Sequence, residues 1–158
     1  MAEKGKMLKL SKKMEYAIMA MQYFAIKRGS IVPAKEIADK YDISFEFLSK
    51  TLQVLLRNGL VTSQKGTRGG YELSNDPEKI SIGDIVFAID GQSALVQCMD
   101  EEGNDKECER MENCTIRNPI KVIQSKINDV FHSTSLADIS NGAEELNSDI
   151  ELLQIDKG

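Results

Sequence analysis

Apolar residues near the start of the chain recur three and four positions apart. Met14, Ala17, Ile18, Met21, Phe24 and Ala25 predict a helix over about Ser11–Arg28, with Ser11 as N-cap and Gly29 as its stop. Pro33 opens a second helix of only two turns, Ala34–Tyr41, whose inward stripe is Ile37, Ala38 and Tyr41. Asp42 and Ile43 make a tight turn. Ser44 then caps a third helix, about Phe45–Asn58, with Leu48, Leu52, Leu55 and Leu56 facing inward and Gly59 ending it. Beyond Gly59 the period changes from helical to alternating. Residues 60–64 predict a strand, residues 65–70 a glycine-rich turn, and residues 71–73 the returning strand. Two helices, a serine-capped third and a glycine-tipped hairpin follow the order of a winged helix-turn-helix.

A further helix begins at Ser81-Ile82-Gly83-Asp84, with Ile82, Ile85, Val86 and Ile89 inside, and stops near Gly91. Residues 92–115 have no apolar period and read as a long loop, a length usually tied to function or disorder. A last helix spans about Asn118–His132. Ile116, Ile120, Ile123, Ile127 and Val130 alternate four and three apart, which is a heptad seam; Phe131 extends it and Val122 lies off it. The fold class expected is therefore mostly α with a small β-hairpin wing (α+β): a winged helix-turn-helix, residues 1–80, then a cysteine-bearing loop and a dimerisation helix, residues 81–140, then a polar, flexible tail, residues 141–158. A two-fold homodimer would set two recognition helices about one DNA turn apart, on a near-palindromic operator.

Charge sharpens this picture. The whole chain is net −5, but residues 1–75 hold 13 Lys and Arg against 7 Asp and Glu, while residues 76–158 hold 7 against 18. A basic first part joined to an acidic second part fits a double-stranded-DNA-binding module joined to something else. With 41% hydrophobic and 28% charged residues the composition is that of a globular chain. No apolar run approaches the roughly 20 residues of a membrane span, and no signal peptide is read at the N-terminus, so no membrane association and a cytoplasmic location are expected.

The third helix and the hairpin carry the candidate DNA-binding residues. With the leucines inward, Glu46, Lys50, Gln53 and Arg57 share the opposite face, and Phe47 and Ser49 flank it. Ser44 and the free amides behind it suit a phosphate. Glu46 suits a cytosine amino group, Lys50 and Arg57 suit guanine or phosphate, and Phe47 suits a thymine methyl. The hairpin tip puts Lys65 and Arg68 among three glycines, a narrow basic probe for a minor groove or a phosphate backbone.

Cys98, Cys108 and Cys114 are the chain's three cysteines, with nine and five residues between them. No CxxC pair exists, so a zinc ribbon is not indicated. Three thiolates in one loop suit an iron–sulfur cluster if a fourth ligand comes from a carboxylate, from His132 (the one histidine) or from a small molecule. No nucleophile–base pair and no phosphate-binding glycine loop is present, so an enzyme is not expected.

Taken with Leu8-Lys9-Leu10-Ser11, Tyr16-Ala17, Ala20-Met21, Ile43-Ser44, residues 55–61, the wing Lys65-Gly66-Thr67-Arg68-Gly69-Gly70-Tyr71 and Ile82-Gly83-Asp84-Ile85, the chain over about residues 8–140 resembles the IscR-type winged-helix regulators. The resemblance implies a homodimeric transcription regulator, most often a repressor, that binds DNA through helix and wing. It also implies a cluster on the three cysteines, responsive to cluster supply, redox state or nitric oxide. Two departures stand out. The first gap between cysteines is longer than is usual in the family, and Arg117 occupies the place three residues after the last cysteine where IscR proper has a histidine ligand. Arginine carries no free lone pair for a metal. Glu15 lies where the nitric-oxide-sensing branch offers a carboxylate from the other subunit, so the ligand set implied is Cys98, Cys108, Cys114 and Glu15. It fits a 2Fe–2S cluster, the preferred reading, or a 4Fe–4S cluster. A regulator working as a cluster-free thiol switch is the alternative.

Overall fold

The computed structural model describes residues 9–91 and 114–141. The chain divides into two compact units, Met1–Ser74 and Asn75–Gly158.

In the first unit, helix α1 runs over Lys12–Ile26, α2 over Ala34–Tyr41 and α3 over Phe45–Arg57, followed by strands β1, Val61–Gln64, and β2, Gly70–Leu73. The ends have local causes. The Ser11 hydroxyl accepts from the Met14 amide, and the Ser44 hydroxyl accepts from the Phe47 amide. Asp42 closes α2 in the left-handed region, at φ 53°, and Gly59 turns the chain out of α3 at φ 72°. Strands β1 and β2 pair antiparallel with Val61 opposite Leu73 and Gln64 opposite Gly70. Val32 forms a bridge to Tyr71, each amide N–H donating to the other's carbonyl at 2.9 and 2.8 Å, so the segment before α2 is tied to the returning strand. A side chain at Gly70 would run into the Val32 carbonyl, which explains a glycine there.

The core of this unit joins Met14, Ala17, Ala20, Met21 and Phe24 of α1, Ile37 and Ala38 of α2, and Leu48, Leu52 and Leu55 of α3. Some inward positions differ from the sequence pattern. Ile18, Ala25, Tyr41 and Leu56 are only half-buried, while Ala20, Tyr23 and Thr51 are buried. Thr51 goes inside because its hydroxyl donates to the Phe47 carbonyl one turn back, at 3.1 Å, which satisfies the polar atom within the helix. Tyr23 goes inside because its hydroxyl donates to the Glu36 carboxylate on α2, at 2.6 Å. That bond, followed by burial, raises the phenol above its ordinary pKa. The Lys40 and Lys27 ammonium groups lie against the Tyr23 ring, 5.3 and 5.8 Å from its centre.

The second unit opens with a single 3₁₀ turn at Pro77–Lys79, not foreseen from the pattern, and continues with α4, Ile82–Asp90, α5, Arg117–Ser133, and α6, Leu136–Ser140. Helix α6 falls where no separate helix was expected; five residues give too short a period to read. Ser81 and Ser135 each start a capping box, with Asp84 and Asp138 as the reciprocal partners. These two caps sit side by side, joined by an antiparallel bridge and by bonds from Ile82 N–H to the Thr134 carbonyl and from Leu136 N–H to the Ile80 carbonyl. Ile80, Ile85 and Leu136 are sealed beneath them, and Val86 is only half-buried. The heptad seam of α5 divides. Ile120, Ile127 and Phe131 are half-buried, on a helix that packs with α4, whereas Ile116, Ile123 and Val130 are 57%, 47% and 60% exposed.

His132, in the last turn of α5, lies directly over Gly83 and within 3.4 Å of the Ser81 hydroxyl. A methyl group on Gly83 would strike the imidazole ring. Gly83→Ala should therefore cost about 1–3 kcal/mol of stability, as overpacking does, and much less in a His132→Ala background. A thermal-denaturation double-mutant cycle checks this; equal losses in both backgrounds would show that His132 does not limit the space.

Candidate DNA-reading surface and cysteine site

The open face of α3 takes shape from the burial of its leucines. Glu46, Lys50, Gln53 and Arg57 are all exposed, and Ser49 beside them is half-buried. Within the face, the Lys50 ammonium donates to the Glu46 carboxylate at 3.0 Å, one turn apart. The same bond and its charge lower the Glu46 carboxyl below the ordinary carboxylate range, so it stays ionised. A pair this exposed adds little stability, which leaves both groups ready to exchange partners. The Arg57 Nε–H donates to the Gln53 carbonyl at 3.4 Å, and the Gln53 amide donates to the Tyr71 hydroxyl at 3.2 Å, linking α3 to the hairpin. Ser44 is exposed at the helix start.

Lys65 and Arg68 are both exposed at the hairpin tip. Gly66 stands at φ 111°, where a side chain would be strained, and a side chain at Gly69 would meet the Gln64 carbonyl. The turn is tight because glycine permits it, and the tightness leaves the two cations as its most prominent side chains.

Two aromatic residues were not fully legible in the sequence. Tyr16 on α1 meets Phe47 on α3 edge to face, with ring centres 5.4 Å apart, so Phe47 is braced from behind. Phe45, which no periodicity marks, is 55% exposed at the first position of α3. Its position next to Ser44 was the one available signal.

Of the cysteine set, Cys98 and Cys108 lie outside the described residues. Cys114 is a free thiol, half-exposed, just ahead of α5. No group of three or more metal-binding side chains occurs among the described residues. Glu15 stands in the first turn of α1, half-exposed, accepting from the Lys12 ammonium at 2.7 Å. The ammonium's pKa is raised by that hydrogen bond and by the carboxylate charge.

A recognition helix held against two others and followed by a basic hairpin defines a winged helix-turn-helix transcription regulator. The chain belongs to the Rrf2 family, described as iron-dependent transcriptional regulators, whose model matches residues 10–142. It is 33% identical over 131 residues to a helix-turn-helix-type transcriptional regulator of Aquifex aeolicus, covering 82% of this chain and 90% of that protein. Among solved structures it is similar to CymR (YrzC), the global cysteine regulator of B. subtilis, with a TM-score of 0.68, 30% identity, and 85% and 98% of the two chains covered. It is equally similar to T. potens IscR, with a TM-score of 0.68, 29% identity, and 89% and 91% covered. The relatives are regulators of transcription, and the chain is not an enzyme. No helix among the described residues is long and apolar enough to cross a membrane.

The hairpin generates a direct test. Lys65→Ala or Arg68→Ala should weaken DNA binding across all sequences and reduce the slope of log affinity against log salt by about one for each cation lost. Titrations at several salt concentrations measure it; an unchanged slope in both variants would remove the hairpin from the interface.

Proposed function

We propose that this chain is a homodimeric, cytoplasmic regulator, acting as a repressor, that reads a near-palindromic operator and senses cluster, redox or nitric oxide status through an iron–sulfur cluster on Cys98, Cys108, Cys114 and Glu15. DNA contacts fall to Ser44, Glu46, Phe47, Lys50 and Arg57 of the helix and to Lys65 and Arg68 of the wing.

The observation that carries the cluster reading lies beside Cys114. Ile116 begins α5 without a side-chain cap, and the first turn holds the cation Arg117 and no acidic residue. That arrangement sets a positive charge at the positive end of the helix dipole. The Arg117 Nε is buried and has no hydrogen-bond partner among the described residues. An unsatisfied buried donor costs about 1–3 kcal/mol. A thiolate-ligated cluster at Cys114 is anionic, and its sulfur atoms would accept from Arg117 and offset both charges. Arginine at the place of the family histidine then serves as donor and counter-charge, and the fourth ligand falls to Glu15. Leaving Lys12 for a metal costs the carboxylate little, because the pair is exposed. When bound, the cluster supplies a centre that reacts with oxidants and nitric oxide. The chain's own part is to hold it with thiolates from one unit and a carboxylate of the partner subunit's α1.

Anaerobic purification followed by a visible spectrum and an iron and sulfide count tests this reading. A coloured protein with iron and sulfide supports it. A colourless protein that loses two thiols on oxidation supports the cluster-free thiol switch instead, a reading favoured by the free, half-exposed Cys114.

Glu15→Ala should still assemble a cluster on three thiolates, less stable and with a shifted spectrum, and its DNA affinity should hardly differ between loaded and stripped forms. Any Cys→Ala change should cost the whole cluster. An unchanged spectrum in Glu15→Ala would return His132 or an external molecule to the fourth position. For the dimer, Ile123→Asp puts a charge on the exposed α5 stripe. Sedimentation should then show monomers with weakened operator binding, since an unpaired charge is costly to bury. A variant that stays dimeric would place the interface elsewhere.

A further inference from the structure

The first turn of α3 holds two phenylalanines in different situations. The Phe47 ring rests against Tyr16 and is 39% exposed; Phe45 is 55% exposed and takes part in no ring contact among the described residues. Single exposed apolar side chains are ordinary on a folded surface, and Phe87 is 55% exposed as well; Phe45 is set apart by its place. Phe45 sits between the cap residue Ser44 and Glu46, at the N-terminal end of the recognition helix, where such helices meet base edges. In the reading proposed above its polar neighbours suit polar targets: Ser44 and the free amides a phosphate, and Glu46 and Lys50, paired with each other at 3.0 Å, base donors and acceptors. A phenyl ring answers neither. The apolar object on the floor of the major groove is the 5-methyl group of thymine.

We propose that Phe45, rather than Phe47, is the specificity-determining residue that packs on a thymine methyl in each half-site, while Phe47, braced by Tyr16, keeps a contact that does not depend on sequence and positions the start of the helix. The proposal rests on the DNA-binding reading above. Position 45 thereby sets a thymine requirement at one place in each half-operator, next to the pair read by Glu46 and Lys50. Phe45 is exposed, so its replacement leaves the core untouched.

The probe is an operator selected by the full-length wild-type protein, loaded and stripped, from random-sequence duplex DNA. Each thymine of a half-site is then replaced in turn by deoxyuridine, which removes only the methyl group. One such replacement should weaken wild-type binding about fourfold, the equivalent of ~0.8 kcal/mol for one buried carbon. The same replacement should leave Phe45→Ala unaffected. Phe45→Leu, still apolar, should keep part of the effect, and Phe47→Ala should keep the methyl dependence while binding more weakly throughout. A Phe45→Ala variant with the wild-type response to every deoxyuridine overturns the assignment while DNA reading stands, as does a wild-type protein indifferent to all of them. A protein that enriches no sequence from the pool loses the DNA reading itself.

Discussion

Leu48, Leu52 and Leu55 are withdrawn from water against α1 and α2, and what the first unit offers to a partner follows from that burial. Each buried leucine contributes on the order of 1.5–3 kcal/mol, so the rotation of α3 about its own axis is firmly set. Once it is set, Glu46, Lys50, Gln53 and Arg57 have nowhere to go but outward. The hairpin is then placed twice over, through the Gln53–Tyr71 hydrogen bond to α3 and through the Val32–Tyr71 bridge to the segment before α2. The same tyrosine serves both ties, so helix and wing are joined through one residue.

The contact between Tyr16 and Phe47 gives the reading helix a handle. Tyr16 follows Glu15 directly on α1, and Phe47 lies in the first turn of the recognition helix. A change at the Glu15 carboxylate acts on the residue next to the one that braces the reading end. Coupling between a ligand site and a DNA site needs an element that both of them bias, and α1 is placed to be that element in the proposed regulator.

The sequence disclosed what repeats and hid what depends on a neighbour. The three helices of the first unit and both strands follow from periodicity, serine caps and glycine stops, within a residue or two at each end. Tyr23 and Thr51 went inside against their polarity because Glu36 and the Phe47 carbonyl receive their hydroxyls, partners that spacing alone does not reveal. The short helix α6 was missed because its five residues are held by a capping box and a bridge to Ser81, not by an amphipathic period. In the heptad seam, regular spacing hid a division: Ile120, Ile127 and Phe131 are half-buried on a helix that packs with α4, and the Ile116, Ile123 and Val130 stripe stays open. For the candidate site, the charged face of α3 and the wing cations could be named from residue type and period. The brace behind Phe47, the exposure of Phe45 and the orphaned Arg117 donor required three dimensions.

The central proposition is that the cysteine site governs the DNA site. It is tested most directly by measuring operator affinity on one anaerobic preparation of wild-type protein, before and after the iron is removed, at fixed salt. Coupling of the usual size, about 1–3 kcal/mol, predicts a difference of roughly 5- to 150-fold between the two forms. Equal affinities, in a protein shown by its iron and sulfide content to have changed state, would contradict it.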